Sequence, residues 1–178
     1  MLRQDIFGIF ASADSWIALA RIITKPMLRD YFKSLEQKAP SDPPLELNKI
    51  IDKLAYNEAG LIPVITQDAA SKTVLMLAWM NKQALLLTIS TQRMTYWSRS
   101  RERLWKKGET SGHVQALVSM SFDCDGDAIL CQVDQTGAAC HTGRADCFYL
   151  KVDVEKQQIS IKTQAKKVPY PDEKNTHK

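Results

Sequence analysis

The alternation of apolar and polar positions divides the chain into three stretches. Over residues 1 to about 38, Trp16, Ala18, Leu19, Ile22 and Ile23 recur at helical spacing, with Asp14 or Ser15 placed to cap the start. Pro26 interrupts that pattern, and a second helix over residues 26–37 carries Leu28, Tyr31, Phe32 and Leu35. Residues 39–44 read Ala-Pro-Ser-Asp-Pro-Pro, a linker. Beyond it the pattern predicts a short helix over 47–54, then strand-like runs at 61–67 and 73–80 joined by a polar turn, a hairpin. Asn81 is a natural N-cap for an alanine- and leucine-rich helix to about residue 90. Further strands are expected at 94–98, 114–122, 128–133, 147–154 and 159–163, with a basic, glycine-containing loop over 99–112. The expected class is α+β, a mainly antiparallel sheet with a helix packed on it. The expected organisation is a helical extension and linker (1–45), one domain (46–163) and a polar tail (164–178).

Length and charge narrow the class of function. The chain has 178 residues, 44% hydrophobic and 25% charged, ordinary for a globular protein with a real core. A formal charge of +4 suits an anionic metabolite but is small for a dedicated nucleic-acid binder. No apolar run approaches the roughly 18 residues that span a bilayer. Arg3, Asp5 and Asp14 interrupt the N-terminus, so it does not read as a signal peptide, and the expected compartment is the cytoplasm.

The densest chemical signal is Asp123-Cys124-Asp125-Gly126-Asp127. If the preceding strand continues through it, the three carboxylates share one face and Cys124 points to the other. Grouped carboxylates repel unless a cation sits among them, and hard oxygen donors suit magnesium. On a straight strand the outer pair would lie about 13 Å apart, at about 3.3 Å per residue. Sharing one ion therefore needs a bend, which Gly126 permits, or bridging water. An EF-hand loop does not fit, because Ala128 and Asp134 stand where it needs glycine and glutamate.

All four cysteines fall after residue 123. Cys124, Cys140 and Cys147, sixteen and then seven positions apart, can give three thiolates to one zinc. Three protein ligands with an open fourth position is the arrangement of a catalytic zinc site. With Cys124 facing away from the aspartates, its partners can come from a neighbouring subunit. Cys131, in an apolar run, is expected to be a buried strand residue, and His141 beside Cys140 a ligand or proton shuttle. In the basic loop, Arg99, Arg101, Arg103, Lys106 and Lys107 outnumber Glu102, and Trp97 and Trp105 are interleaved. Thr110, Ser111, Gly112 and His113 follow. Guanidinium groups, hydroxyls and glycine-flanked amides suit a phosphate, and tryptophan can stack on a purine.

Several runs together resemble one family, phosphoribosyl-AMP cyclohydrolase. They are Tyr96-Trp97-Ser98-Arg99-Ser100-Arg101, Leu104 to His113 (Leu-Trp-Lys-Lys-Gly-Glu-Thr-Ser-Gly-His), the Asp123–Asp127 run, Ala139-Cys140-His141-Thr142-Gly143, and Cys147-Phe148. Leu61-Ile62-Pro63-Val64 and Ala78-Trp79-Met80-Asn81 also match, so the resemblance covers roughly residues 47–155. It implies a barrel-like core in an intertwined homodimer. It also implies one zinc per subunit held by Cys124, Cys140 and Cys147 across the dimer, and magnesium on Asp123, Asp125 and Asp127. The implied reaction, a step of histidine biosynthesis, opens the adenine ring of 1-(5-phosphoribosyl)-AMP at N1–C6. Zinc-bound hydroxide would attack C6, and His113 or His141 would carry the proton. Trp97, Arg99, Arg101, Lys107, Thr110 and Ser111 would bind substrate. Too little chain follows residue 155 for the pyrophosphohydrolase domain fused to some members, so that second activity is not expected. Residues 1–45 have no counterpart in the pattern.

Two other classes are weighed against this. A non-catalytic zinc module binding RNA or a phosphoprotein would close its zinc with a fourth ligand and have no use for three aspartates. A zinc deaminase would carry His-x-Glu and Pro-Cys-x-x-Cys, and neither motif is present.

Overall fold

The structure, a computed structural model, describes residues 30–164. The helix expected around Trp16–Ile23, the start of the second helix and most of the polar tail lie outside the described residues. By internal contacts the chain divides into two compact units. One is Met1–Ala55 with Cys124–Gly126, and the other is Tyr56–Asp123 with Asp127–Lys178.

In the first unit residues 30–35 are helical and α1 spans Leu47–Ile51. Its small core is Phe32, Ile50, Ile51 and Leu54, all buried. The Phe32 ring lies against Gly126, where a Cβ would collide with it. The amide of Ala55 donates to the Gly126 carbonyl at 2.8 Å. The linker residues 39–44 are exposed, and the Ala39 amide donates to the Asp42 carboxylate at 3.0 Å.

The second unit holds every strand found among the described residues. β1 (Ile62–Asp68) and β2 (Val74–Met80) form the expected antiparallel hairpin. Its turn is tied by Asp68, whose carboxylate accepts from the Ser71 amide at 2.7 Å and hydroxyl at 2.8 Å. α2 (Lys82–Thr91) follows, and the Asn81 side chain accepts from the Ala84 amide at 2.8 Å, the N-cap bond expected there. β3 (Thr95–Ser98) pairs with β4 (Arg103–Lys106). β5 (Gln115–Phe122) and β6 (Ile129–Gln135) complete a four-stranded sheet in the order β2-β1-β6-β5. A separate hairpin, β7 (Leu150–Asp153) with β8 (Gln158–Ile161), follows.

The class is α+β with mostly antiparallel pairing, but the large sheet is mixed, since β1 and β6 run parallel. The 99–112 segment expected as a loop is corrected here: its middle is β4, the return strand of a hairpin. Arg103–Lys106 alternates poorly in polarity, and pairing with Thr95–Ser98 makes it a strand.

Alternation decides the core. Ile62, Val64 and Thr66 of β1 and Ile129, Cys131 and Val133 of β6 point to one buried face. Ala84, Leu85 and Thr88 are the buried face of α2. Thr88 and Thr95 lock this helix to β3, the Thr88 hydroxyl donating to the Thr95 carbonyl at 3.1 Å and accepting its amide at 2.9 Å. By contrast Leu150, Val152, Ile159 and Ile161 of β7–β8 are all exposed, and cross-strand register places them opposite one another in pairs.

Candidate functional site

The aspartate run is a turn, not a continued strand. β5 ends at Phe122, and the chain reverses through Gly126, whose φ of +72° is a left-handed conformation natural to glycine. The alternating-face arrangement therefore does not apply, and the bend does. Carboxylate oxygens of Asp123, Asp125 and Asp127 come within 4.8 Å of one another. Asp123 Oδ1 also accepts from the amides of Asp127 at 2.8 Å and Ala128 at 3.0 Å, which fixes one corner of the set. Three solvent-accessible carboxylates so close repel, and a hard divalent cation fits that donor set.

Among the described residues this is the only group of three or more His, Cys, Asp or Glu side chains close enough to share an ion. Cys140 and Cys147 form a pair. The Cys140 thiol is buried, and Cys147 lies within hydrogen-bonding reach of it. Backbone bonds set this geometry: the Cys147 amide donates to the Leu75 carbonyl at 2.7 Å, and a tight turn joins Cys140 to Arg144. Cys140 Sγ lies 3.0 Å from the Thr142 hydroxyl and 4.0 Å from His141 Nδ1. Burial and the neighbouring Cys140 push the Cys147 thiol up to about 11, while Lys107 pulls it back. Soft sulfurs in this setting fit zinc. Cys124 is exposed, and Cys131 is buried in β6, pushed up to about 12 by burial alone.

Lys107 is unusual among the basic residues of its segment. It is 7% exposed, and its ammonium donates to the Ala139 carbonyl at 2.8 Å. Arg99 lies on the surface with its guanidinium 5.0 Å over the ring of Trp79. Arg101 and Thr110 are exposed, while Trp97 and Ser111 are half-buried. The Ser111 hydroxyl accepts the His113 amide at 3.3 Å. His113 Nδ1 is a buried ring nitrogen with no protein partner.

A buried polar chain runs beneath this segment. Thr66 and Tyr96 share a hydroxyl contact of 2.8 Å, Tyr96 donates to Gln115 Oε1 at 2.7 Å, and Gln115 Nε2 donates to Gln135 at 2.8 Å. Gln135 then donates to the Thr136 carbonyl at 2.7 Å. The chain of bonds thus links the sheet core to the strand end that leads to Cys140. Neither this network nor the contact of Trp79 with Arg99 was legible in advance, although Trp79 sits in one of the matching runs. Asp146, beside Cys147, is a second surprise. Its carboxylate is buried, Oδ2 lies 3.5 Å from Lys162, and Oδ1 has no partner.

An α+β scaffold that presents a carboxylate triad and two neighbouring thiols, Cys140 buried and Cys147 exposed, suits a metal-dependent hydrolase. The sequence profile described as phosphoribosyl-AMP cyclohydrolase matches residues 76–149. A protein of that name from Alcanivorax borkumensis is 52% identical over 128 residues, 72% of this chain and 89% of that one. One from Roseobacter denitrificans is 56% identical over 109 residues (61% and 85%). One from Dinoroseobacter shibae is 60% identical over 99 residues (56% and 83%). The chain belongs to the phosphoribosyl-AMP cyclohydrolase family, whose members are cyclic amidine hydrolases.

Proposed function

We propose that this chain hydrolyses the N1–C6 bond of the adenine ring of 1-(5-phosphoribosyl)-AMP, giving the formimino carboxamide intermediate of histidine biosynthesis. The observation that carries the proposal is the likeness to the relatives over the segment that holds both donor sets. Its catalytic part is residues 46–163. The protein works in the cytoplasm on a small anionic substrate, not on nucleic acid. Among the described residues no helix is long and apolar enough to cross a membrane.

Cys140 and Cys147 hold zinc together with Cys124 of a second copy, and Asp123, Asp125 and Asp127 hold magnesium. Among the described residues no third His, Cys, Asp or Glu is grouped with the Cys140–Cys147 pair, which is compatible with a shared site in a homodimer. The bare apolar face of β7–β8, 56–67% exposed at Leu150, Val152, Ile159 and Ile161, supports it too, since such faces usually meet a partner. Zinc bound by three thiolates would supply a Lewis acid able to bring the pKa of water to about 7.

The chain's own residues perform the remaining tasks. Arg99, Arg101, Thr110 and Ser111 orient the substrate phosphates, and Trp97 offers a face to the purine. In the reaction a water oxygen bonds to C6, the N1–C6 bond breaks, and N1 takes a proton. His113 or His141 delivers it. The buried, unpartnered nitrogen of His113 and the position of His141 beside Cys140 support the two as candidates.

The test mixes the protein with phosphoribosyl-AMP and follows the ultraviolet change of ring opening, with and without a chelator. Turnover should be abolished by chelation and by Cys140→Ser, which should lose zinc as well. Full activity in a zinc-free Cys140→Ser protein would refute the mechanism.

A further inference from the structure

Lys107 lies in a run whose other cations face solvent, yet it points inward. Its side chain is almost fully buried, its ammonium has one carbonyl partner, Ala139 at 2.8 Å, and the Trp105 ring lies 5.8 Å away. A buried ammonium is costly unless an anion or several acceptors compensate it. No ion pair of Lys107 with a carboxylate is found among the described residues. Ala139, whose carbonyl accepts from the ammonium, is the residue next to Cys140. Among the described residues the ammonium thus has a carbonyl and a ring for company.

The arithmetic of charge completes the picture. Zinc carries two positive charges and three thiolates carry three negative ones, so the loaded cluster is an anion of net charge −1. A single buried cation, bonded to the carbonyl of the residue next to Cys140, neutralises it. We propose that Lys107 is the built-in counter-charge of the thiolate–metal cluster, tied to the Cys140 loop through the Ala139 carbonyl, and is not a contact to substrate phosphate. This rests on the zinc reading of the pair. Lys107 is thus a positioning residue. Its ammonium acts on the sulfurs through space and on their loop through the Ala139 carbonyl. The opposing charge of Asp146, next to Cys147, is engaged by Lys162 at 3.5 Å.

The experiment measures zinc affinity of the full-length protein at one pH by competition with a chromophoric chelator. It also records the thiolate-to-cobalt charge-transfer band after Co2+ loading. Lys107→Gln keeps a donor for Ala139 but removes the charge, and should weaken zinc binding about ten- to hundred-fold, the usual effect of losing a residue that supports a ligand. Lys107→Arg, which keeps the charge, should stay within a few-fold of wild type. If Lys107→Gln does not fold by circular dichroism, Lys107→Met, matched in length and apolar, replaces it. Wild-type zinc affinity in the folded charge-free variant, with a raised KM for substrate, would overturn the proposal in favour of a phosphate contact. Equal weakening in the Gln and Arg variants would overturn it in favour of shape. A wild-type protein without the cobalt band overturns the zinc reading itself, and this proposal with it, whereas a normal band with unaltered variant affinity overturns only this proposal.

Discussion

Replacing Gly137 with alanine should separate the role of His113 from that of His141. Gly137 lies between β6 and Cys140 with φ +68°, and a Cβ there would sit 2.5 Å from Cδ2 of the His113 ring. Ordinary contact begins near 3.4 Å, so the imidazole must retreat by about 0.9 Å. Two costs follow. Alanine in the left-handed region costs about 1–2 kcal/mol. For a chain of this size that lowers Tm by roughly 2–8 °C. The displaced ring is the second cost, because a misplacement of about 1 Å at a reacting centre can reduce turnover about 100-fold. Gly60→Ala is the control: φ is +69° but nothing lies within 4 Å of the added methyl, so it should lower Tm alike and leave turnover untouched. The assays are calorimetric Tm and the ultraviolet progress curve of ring opening. A Gly137→Ala protein with Gly60→Ala-like Tm and wild-type kcat would show that His113 stands away from the chemistry, leaving His141 as the proton carrier.

Three further outcomes are expected. Tyr96→Phe removes the hydroxyl joining Thr66 to Gln115 and leaves buried acceptors unpaired, so urea denaturation should show a loss of about 1–3 kcal/mol, and an unaltered midpoint would discount the network. Cys131 is pushed up to about 12 in the fold, so the unfolded chain releases this proton first. Stability should be fully present below about pH 9 and fall as pH rises toward 12, by about 1.4 kcal/mol per pH unit from this thiol. Cys131→Val should flatten the slope by that amount in denaturation series at several pH values, and an unchanged slope would count against it. Asp125→Asn should weaken Mn2+ binding about ten-fold in calorimetric titration while leaving zinc content alone, since it removes one carboxylate of three. Identical titrations would argue that the triad binds no ion.

Features set by near neighbours along the chain were legible in the residues themselves. The β1–β2 hairpin needs only alternation and a polar turn. The cap of α2 needs only Asn81 and the amide of Ala84. The reversal at Gly126 needs a residue without Cβ, and Cys131 declares its burial by sitting in an apolar run. These interactions span few residues, so local stereochemistry decides them.

What only tertiary structure decided lies far apart in sequence. The parallel pairing of β1 with β6 joins Val64 to Ile129, and no local pattern announces it. Arg103–Lys106 is a strand because Thr95–Ser98 offers it hydrogen bonds. Asp146 and Lys107, of residue types mostly found exposed, are both buried, with partners remote in sequence at Lys162 and Ala139. Residue type states what a side chain can do chemically. Which groups meet, and in how little water, depends on long-range packing, and that packing brings the Lys107 ammonium to the Ala139 carbonyl beside Cys140.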